Sequence, residues 1–138
     1  MVAGVFVVRS ITAAETVDIF AVQPGDCFAD PVGASVSEIE VIDCTQAHDL
    51  EAFAMVTLPF GADTTLPDDE TLFATAWDEC LAFFQPYTGE PYDTSEWYLD
   101  AFVPDRHSWK SGDRDALCVV FLADADGLPA TATRSARA

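Results

Sequence analysis

Asp43-Cys44-Thr45-Gln46-Ala47-His48-Asp49-Leu50-Glu51 packs one of four cysteines, one of two histidines and three carboxylates into nine consecutive positions. Its flanks decide the fold. Before it, Val36-Ser37-Glu38-Ile39-Glu40-Val41-Ile42 alternates in hydropathy, the period of a half-buried strand. After it, Ala52-Phe53-Ala54-Met55-Val56-Thr57-Leu58 is almost wholly apolar, the pattern of a central strand covered on both faces, and Pro59 and Gly61 stop it. Two such runs with a short polar connection predict an antiparallel pair. Residues 43–51 are then the connection, or the first residues of the second strand.

Further along lies the main amphipathic helix, predicted over about residues 68–86. Leu72, Phe73, Ala76, Trp77, Cys80, Leu81 and Phe84 recur at steps of one and three, which places them on one face. Pro67 precedes the helix, Asp68, Asp69 and Glu70 suit its N-terminus, and Pro86 and Gly89 close it. Two more strands follow, Trp97 to Val103 and Ala116 to Leu122, separated by a polar loop from Asp105 to Asp115. On the N-terminal side, Val17 to Val22 is a short extended piece. It leads through the Pro24-Gly25 turn to Cys27 and Phe28, which point inward. Strand, strand, helix, strand, strand gives an α+β class: an antiparallel β-sheet with one main helix packed on a face.

The chain divides into an N-terminal linker or truncated anchor at residues 1–16, one domain at 17–124, and a disordered C-terminal tail at 125–138. Val2 to Val8 is apolar but stops at Arg9. It is too short to cross a membrane and lacks the basic start of a signal peptide.

Composition narrows the partners. With 24 acidic and 6 basic residues the 138-residue chain carries a formal charge of −18, and Lys110 is its single lysine. Such a chain repels phosphate backbones, so no nucleic-acid partner is expected. Half the residues are hydrophobic, which excludes general disorder. Cys27, Cys44, Cys80 and Cys118 are widely and irregularly spaced, with no C-x-x-C pair. That pattern predicts two disulfides and an oxidising compartment, and leaves three pairings open.

The dense stretch invites two chemical readings. Cys44 and His48 offer two zinc ligands and Asp49 and Glu51 oxygen donors. The remaining cysteines are distant in sequence and His107 is isolated, so no metal or other cofactor is expected. Asp124-Ala125-Asp126-Gly127 resembles the start of a calcium loop without its later ligands, and reads as a turn. His48 beside Asp49 and Glu51 suggests a general base, yet there is no G-x-S-x-G elbow and an even cysteine count leaves no free thiol. No catalytic residue is assigned, and His48 is read as fixing a turn at a strand entrance. In the 104–114 loop, Trp109 is read as a lid on the core. Arg114 is read as an ion-pair partner of Asp49 or Glu51.

Taken together, these pieces resemble the septum formation domain family, extracytoplasmic domains of actinobacterial envelope proteins that are often membrane-anchored. The resemblance rests on Asp18 to Phe28, Val41 to Phe53, the helix carrying Cys80 and Phe84, and Pro104 with Ser108 to Arg114 and Cys118. It covers about Val17 to Leu122. Two departures stand out: the N-terminal anchor is missing or truncated, and the strand after His48 is softened to Ala52-Phe53-Ala54. The resemblance implies a secreted or membrane-tethered domain linked to cell division or the envelope, and it transfers no catalytic residues. It also implies the pairs Cys27–Cys44 and Cys80–Cys118. The expected function is a non-enzymatic binding or accessory domain for a protein or envelope component. The expected surface forms where His48, Asp49 and Glu51 meet Trp109 and Arg114. The alternatives are an envelope hydrolase using His48 with Asp49 or Glu51, and a purely structural spacer.

Overall fold

The computed structural model describes residues 15–31 and 38–138. The apolar run Val2 to Val8, Gly33, and the first two residues of the Val36–Ile42 run lie outside them. Seven strands are present among the described residues: β1 (Glu15–Asp18), β2 (Cys27–Phe28), β3 (Glu38–Ile42), β4 (Leu50–Thr57), β5 (Trp97–Phe102), β6 (Asp115–Ala123) and β7 (Pro129–Ala130). The described residues also form two α-helices, α1 (Asp69–Thr88) and α2 (Arg106–Lys110). All strand pairs are antiparallel, in the order β1-β3-β2-β4-β6-β5, with β7 added to β6. The α+β class with one main helix on a curled antiparallel sheet is as expected.

The expected pairing of the two runs flanking residues 43–49 is corrected. β3 and β4 do not pair with each other. The two-residue β2 lies between them, with Cys27 opposite Ile42 on one side and Glu51 on the other. β3 and β4 therefore run in the same direction, and residues 43–49 carry the chain back past β2. The turn at 23–26 continues this insertion, because Gly25 N–H donates to the Ala52 carbonyl and Ala52 N–H to the Asp26 carbonyl, both at 2.8 Å.

Helix α1 begins where its cap requires. Asp68 is extended and its carboxylate accepts the Thr71 N–H at 2.8 Å, with Asp69 and Glu70 in the first turn. It ends at Gly89 in the left-handed region (φ 82°), whose N–H donates to the Gln85 carbonyl. The helix runs two residues past Pro86. A proline there forfeits one backbone hydrogen bond on an exposed face, and the Thr88 hydroxyl closes the last turn on the Phe84 carbonyl. Leu72, Ala76, Cys80, Phe84 and Thr88 form the buried stripe at steps of four. Phe73, expected in that stripe, is 44% exposed.

Cores lie on both faces of the sheet. On the helix side Phe53, Ala54, Val56, Leu58, Trp97, Leu99, Cys118 and Val120 meet the α1 stripe. On the other, Val22, Phe28, Ile39, Leu50, Ala52, Leu117, Val119 and Phe121 pack together. β4 and β6 are thus covered on both faces, as their apolar runs predict. A β-bulge falls at the softened Ala52-Phe53-Ala54: Ala52 pairs with Val119 and Ala54 with Cys118, so Phe53 is the extra residue. It puts both Phe53 and Ala54 on the helix side.

The two disulfides are Cys27–Cys44 and Cys80–Cys118, as the resemblance implied. The first ties β2 to the connection after β3. The second, with both cysteines fully buried, staples α1 to β6.

Residues 125–138 correct the expected disordered tail. β7 extends β6 beyond the start of β4, and His48 and Ala132 form an antiparallel bridge. Ala132 and Ala136 are buried in the helix-side core, and Ala138 N–H reaches the Tyr87 carbonyl at 2.9 Å. At the other end, Glu15 and Thr16, expected in the linker, belong to β1.

Candidate functional site

Glu51 is the centre of the site. The strand alternation at the start of β4 turns it to the helix side, where it is 0% exposed. A buried carboxylate needs donors, and three converge on it. The Tyr87 hydroxyl, from the last turn of α1, donates to Oε2. The Ser135 hydroxyl donates to the same oxygen at 2.7 Å, and the Ala136 N–H donates to Oε1 at 2.8 Å. One side chain thus joins β4, the helix end and the C-terminal segment. Tyr87 holds its phenol proton well above the usual tyrosine range, through burial first and then its bond to the Glu51 carboxylate.

His48 lies three residues before Glu51 and is 2% exposed. Its backbone exchanges hydrogen bonds with Ala132, at 2.9 and 2.8 Å. Its Nδ1 is 2.8 Å from the Gln46 carbonyl, which can only accept, so Nδ1 carries the proton. Nε2 is buried and has no hydrogen-bond partner among the described residues. Beside it, donor atoms of Cys27, His48 and Glu51 all lie within 4.8 Å of one another. The expectation that His48 fixes the strand entrance agrees with its backbone and Nδ1 bonds.

The other residues of the stretch shape the chain. Asp43 forms a local turn with the backbone and side chain of Thr45, and the backbone bond, then the side-chain one, holds its carboxyl below the ordinary range. The Asp49 carboxylate accepts the Asp30 N–H at 2.8 Å. The Asp30 carboxyl is in turn pushed up, by burial and then by the negative charges of Asp49 and Asp100.

Two arginines flank the C-terminal segment. Arg134 pairs with Glu96 at 2.7 Å and lies 5.0 Å from the Trp97 ring centre. Arg137 lies over Tyr87 and crowds Gly25, whose absent side chain leaves that room: a β-carbon would sit 3.2 Å from the guanidinium.

The expected joint surface does not form. Trp109 is buried in α2, its Nε1–H donates to the Thr64 carbonyl at 2.9 Å, and it packs on Phe60. It is a lid on the core. Arg114 stacks on it at 3.6 Å and donates to the carbonyls of Trp109, Asp113, Gly61 and Ala62. Arg114 therefore clamps two loops through backbone oxygens, and it does not pair with Asp49 or Glu51. The register explains the separation. Glu51 is opposite Val120 while Thr57 is opposite Asp115, so the two groups lie at opposite ends of β4, on the order of 20 Å apart.

Tyr87, Ser135 and Ala136 carry no sequence motif that marks them as partners of Glu51. A signal was available: Glu51 stands in a run otherwise suited to burial on both faces, and such a carboxylate demands donors from elsewhere in the chain.

A family model described as septum formation matches residues 24–138. Among curated proteins, “Putative lipoprotein LppN” of Mycobacterium tuberculosis (strain ATCC 25618 / H37Rv) is 36% identical over 92 residues, covering 65% of this chain and 47% of that protein. The protein of the same name from Mycobacterium bovis (strain ATCC BAA-935 / AF2122/97) matches to the same extent. This chain thus spans about half the length of the curated relatives it matches. No solved structure matches it.

Proposed function

The chain belongs to the septum formation family, and on that premise we propose that it is a non-enzymatic accessory domain working at the outer face of the cell envelope. Two internal disulfides fit an oxidising, extracytoplasmic setting. The relative named as a lipoprotein supports tethering at that face. No helix among the described residues is long and apolar enough to cross a membrane.

The observation that carries the non-enzymatic reading is the state of the motif itself. Cys27 and Cys44 are bonded to each other, Glu51 accepts three structural hydrogen bonds, and His48 is 2% exposed. A general base must reach the proton it removes, and His48 is buried and paired through its backbone with Ala132 of the C-terminal segment. The strongly acidic surface then favours docking on a basic or cation-bridged envelope component over nucleic acid.

The test is incubation of the purified chain with isolated cell-wall and membrane fractions. Retention that weakens with added salt, without release of soluble fragments, is the expected result. Fragment release that disappears in His48→Ala would instead establish the hydrolase reading.

A further inference from the structure

In sequence, the cysteines other than Cys44 lie far from His48 and Glu51, which argues against a metal. The insertion of β2 between β3 and β4 removes that objection: it places Cys27 directly opposite Glu51 and bonds it to Cys44, four residues before His48. We propose that opening the Cys27–Cys44 bridge creates a four-ligand site for a thiophilic divalent cation of the zinc class. Its ligands are the Cys27 and Cys44 thiolates, His48 Nε2 and Glu51 Oε1.

Four observations support the site. The donor atoms of Cys27, His48 and Glu51 already lie within 4.8 Å of one another, and the Cys44 sulfur is bonded to that of Cys27. His48 is arranged as metal-ligating histidines are: Nδ1–H is spent on a backbone carbonyl, so in the neutral ring the Nε2 lone pair is free, and it is buried without a partner among the described residues. Glu51 is held by outer donors that fix a ligand carboxylate, and among the described residues its Oε1 accepts only the Ala136 N–H, which leaves one acceptor direction open. Finally, the ligand set of two sulfurs, one imidazole and one carboxylate suits tetrahedral zinc, and a chain of charge −18 attracts the cation.

The redox step balances with a dithiol reductant. It gives two electrons and two protons to the Cys27–Cys44 bond and becomes a disulfide itself. Binding of the cation then releases the two thiol protons to solvent. Attack falls on this bridge first, because Cys44 is partly exposed while both sulfurs of Cys80–Cys118 are buried completely. In this reading the motif is a disulfide brace when oxidised and a metal brace when reduced.

The whole 138-residue chain tests this. It is treated with a phosphine reductant under inert gas, the opened cysteines are mapped by alkylation and mass spectrometry, and Co2+ is titrated as an optical probe before displacement by Zn2+. One metal per chain, with thiolate-to-cobalt charge transfer and tetrahedral visible bands, is expected after reduction and not before. His48→Ala should weaken Zn2+ binding by about 10–100-fold or more, and Ser135→Ala, which loosens an outer donor to Glu51, by about 10-fold. Near-UV circular dichroism runs alongside. If reduction unfolds the chain, recovery of the fold on adding Zn2+ supports the site, and failure to recover overturns it. Undiminished binding in His48→Ala or in Cys27→Ser, or weak octahedral cobalt bands alone, would also overturn it.

Discussion

Removing the Glu51 carboxylate should release the C-terminal segment. In Glu51→Ala the Tyr87 hydroxyl and the Ala136 N–H lose their acceptor inside the protein, while exposed Ser135 can turn to water. Each stranded buried donor costs about 1–3 kcal/mol, and the small residue also leaves a void. The expected loss is about 3–5 kcal/mol, which at a slope of about 2 kcal/mol per molar lowers the urea midpoint by about 2 M. Glu51→Gln is the discriminating control. Its carbonyl can serve Ala136, and its amide can donate to the two hydroxyls, which rotate to accept. The cost should be about 1–2 kcal/mol, the loss of charge assistance alone. Hydrogen exchange reports the location: the amides of Ala132, Ala136 and Ala138 should lose protection in Glu51→Ala before the β4–β6 pair does. A penalty under about 1 kcal/mol for Glu51→Ala, with those amides still protected, would refute the claim that Glu51 holds the segment.

Three further outcomes are expected. Loop-closure entropy gives about 4 kcal/mol for the Cys80–Cys118 bridge (separation 38) and about 3 kcal/mol for Cys27–Cys44 (separation 17), so paired alanine variants should rank that way in urea melts. Because the folded Tyr87 phenol is raised above its ordinary 10.0, it contributes stability present in full below pH 10 and lost as pH rises toward its folded value; an alkaline melt series should lose that dependence in Tyr87→Phe. Asp68 and Asp105 are both lowered from 3.8, chiefly by backbone N–H donors, so their contribution is complete above pH 3.8 and disappears as pH falls through their lower folded values. The double variant Asp68→Asn, Asp105→Asn should flatten the acid limb of a melting curve followed below pH 4.

Much of the architecture was legible because it rests on local chemistry. The 68–86 helix announced itself through its acidic start and its stripe, and the apolar runs of β4 and β6 stated that both their faces are covered. The disulfide pairs came through the family resemblance and could not have come from spacing. β2 was illegible because two residues carry no period: Cys27 and Phe28 join the sheet through their neighbours. The C-terminal segment hides its order for a different reason. Thr131 to Ala138 is small and polar, which is how a linker looks, yet its order comes from backbone bonds to His48 and Tyr87 and from a carboxylate in another strand. The expected His48–Trp109 surface does not form because β4 holds the two polar groups at its opposite ends.

The bulge at Phe53 has a consequence for how this strand tolerates change in length. Ala52 and Ala54 face adjacent partners on β6, so Phe53 is an insertion with no frame cost to either side. Removing that one codon's worth of chain would leave every later residue of β4 facing the side it faces now. What would vanish is one ring, the one wedged between Phe84 and Tyr87. A one-residue deletion at this point, in a strand covered on both faces, would therefore be read as a change of aromatic filling and not of topology.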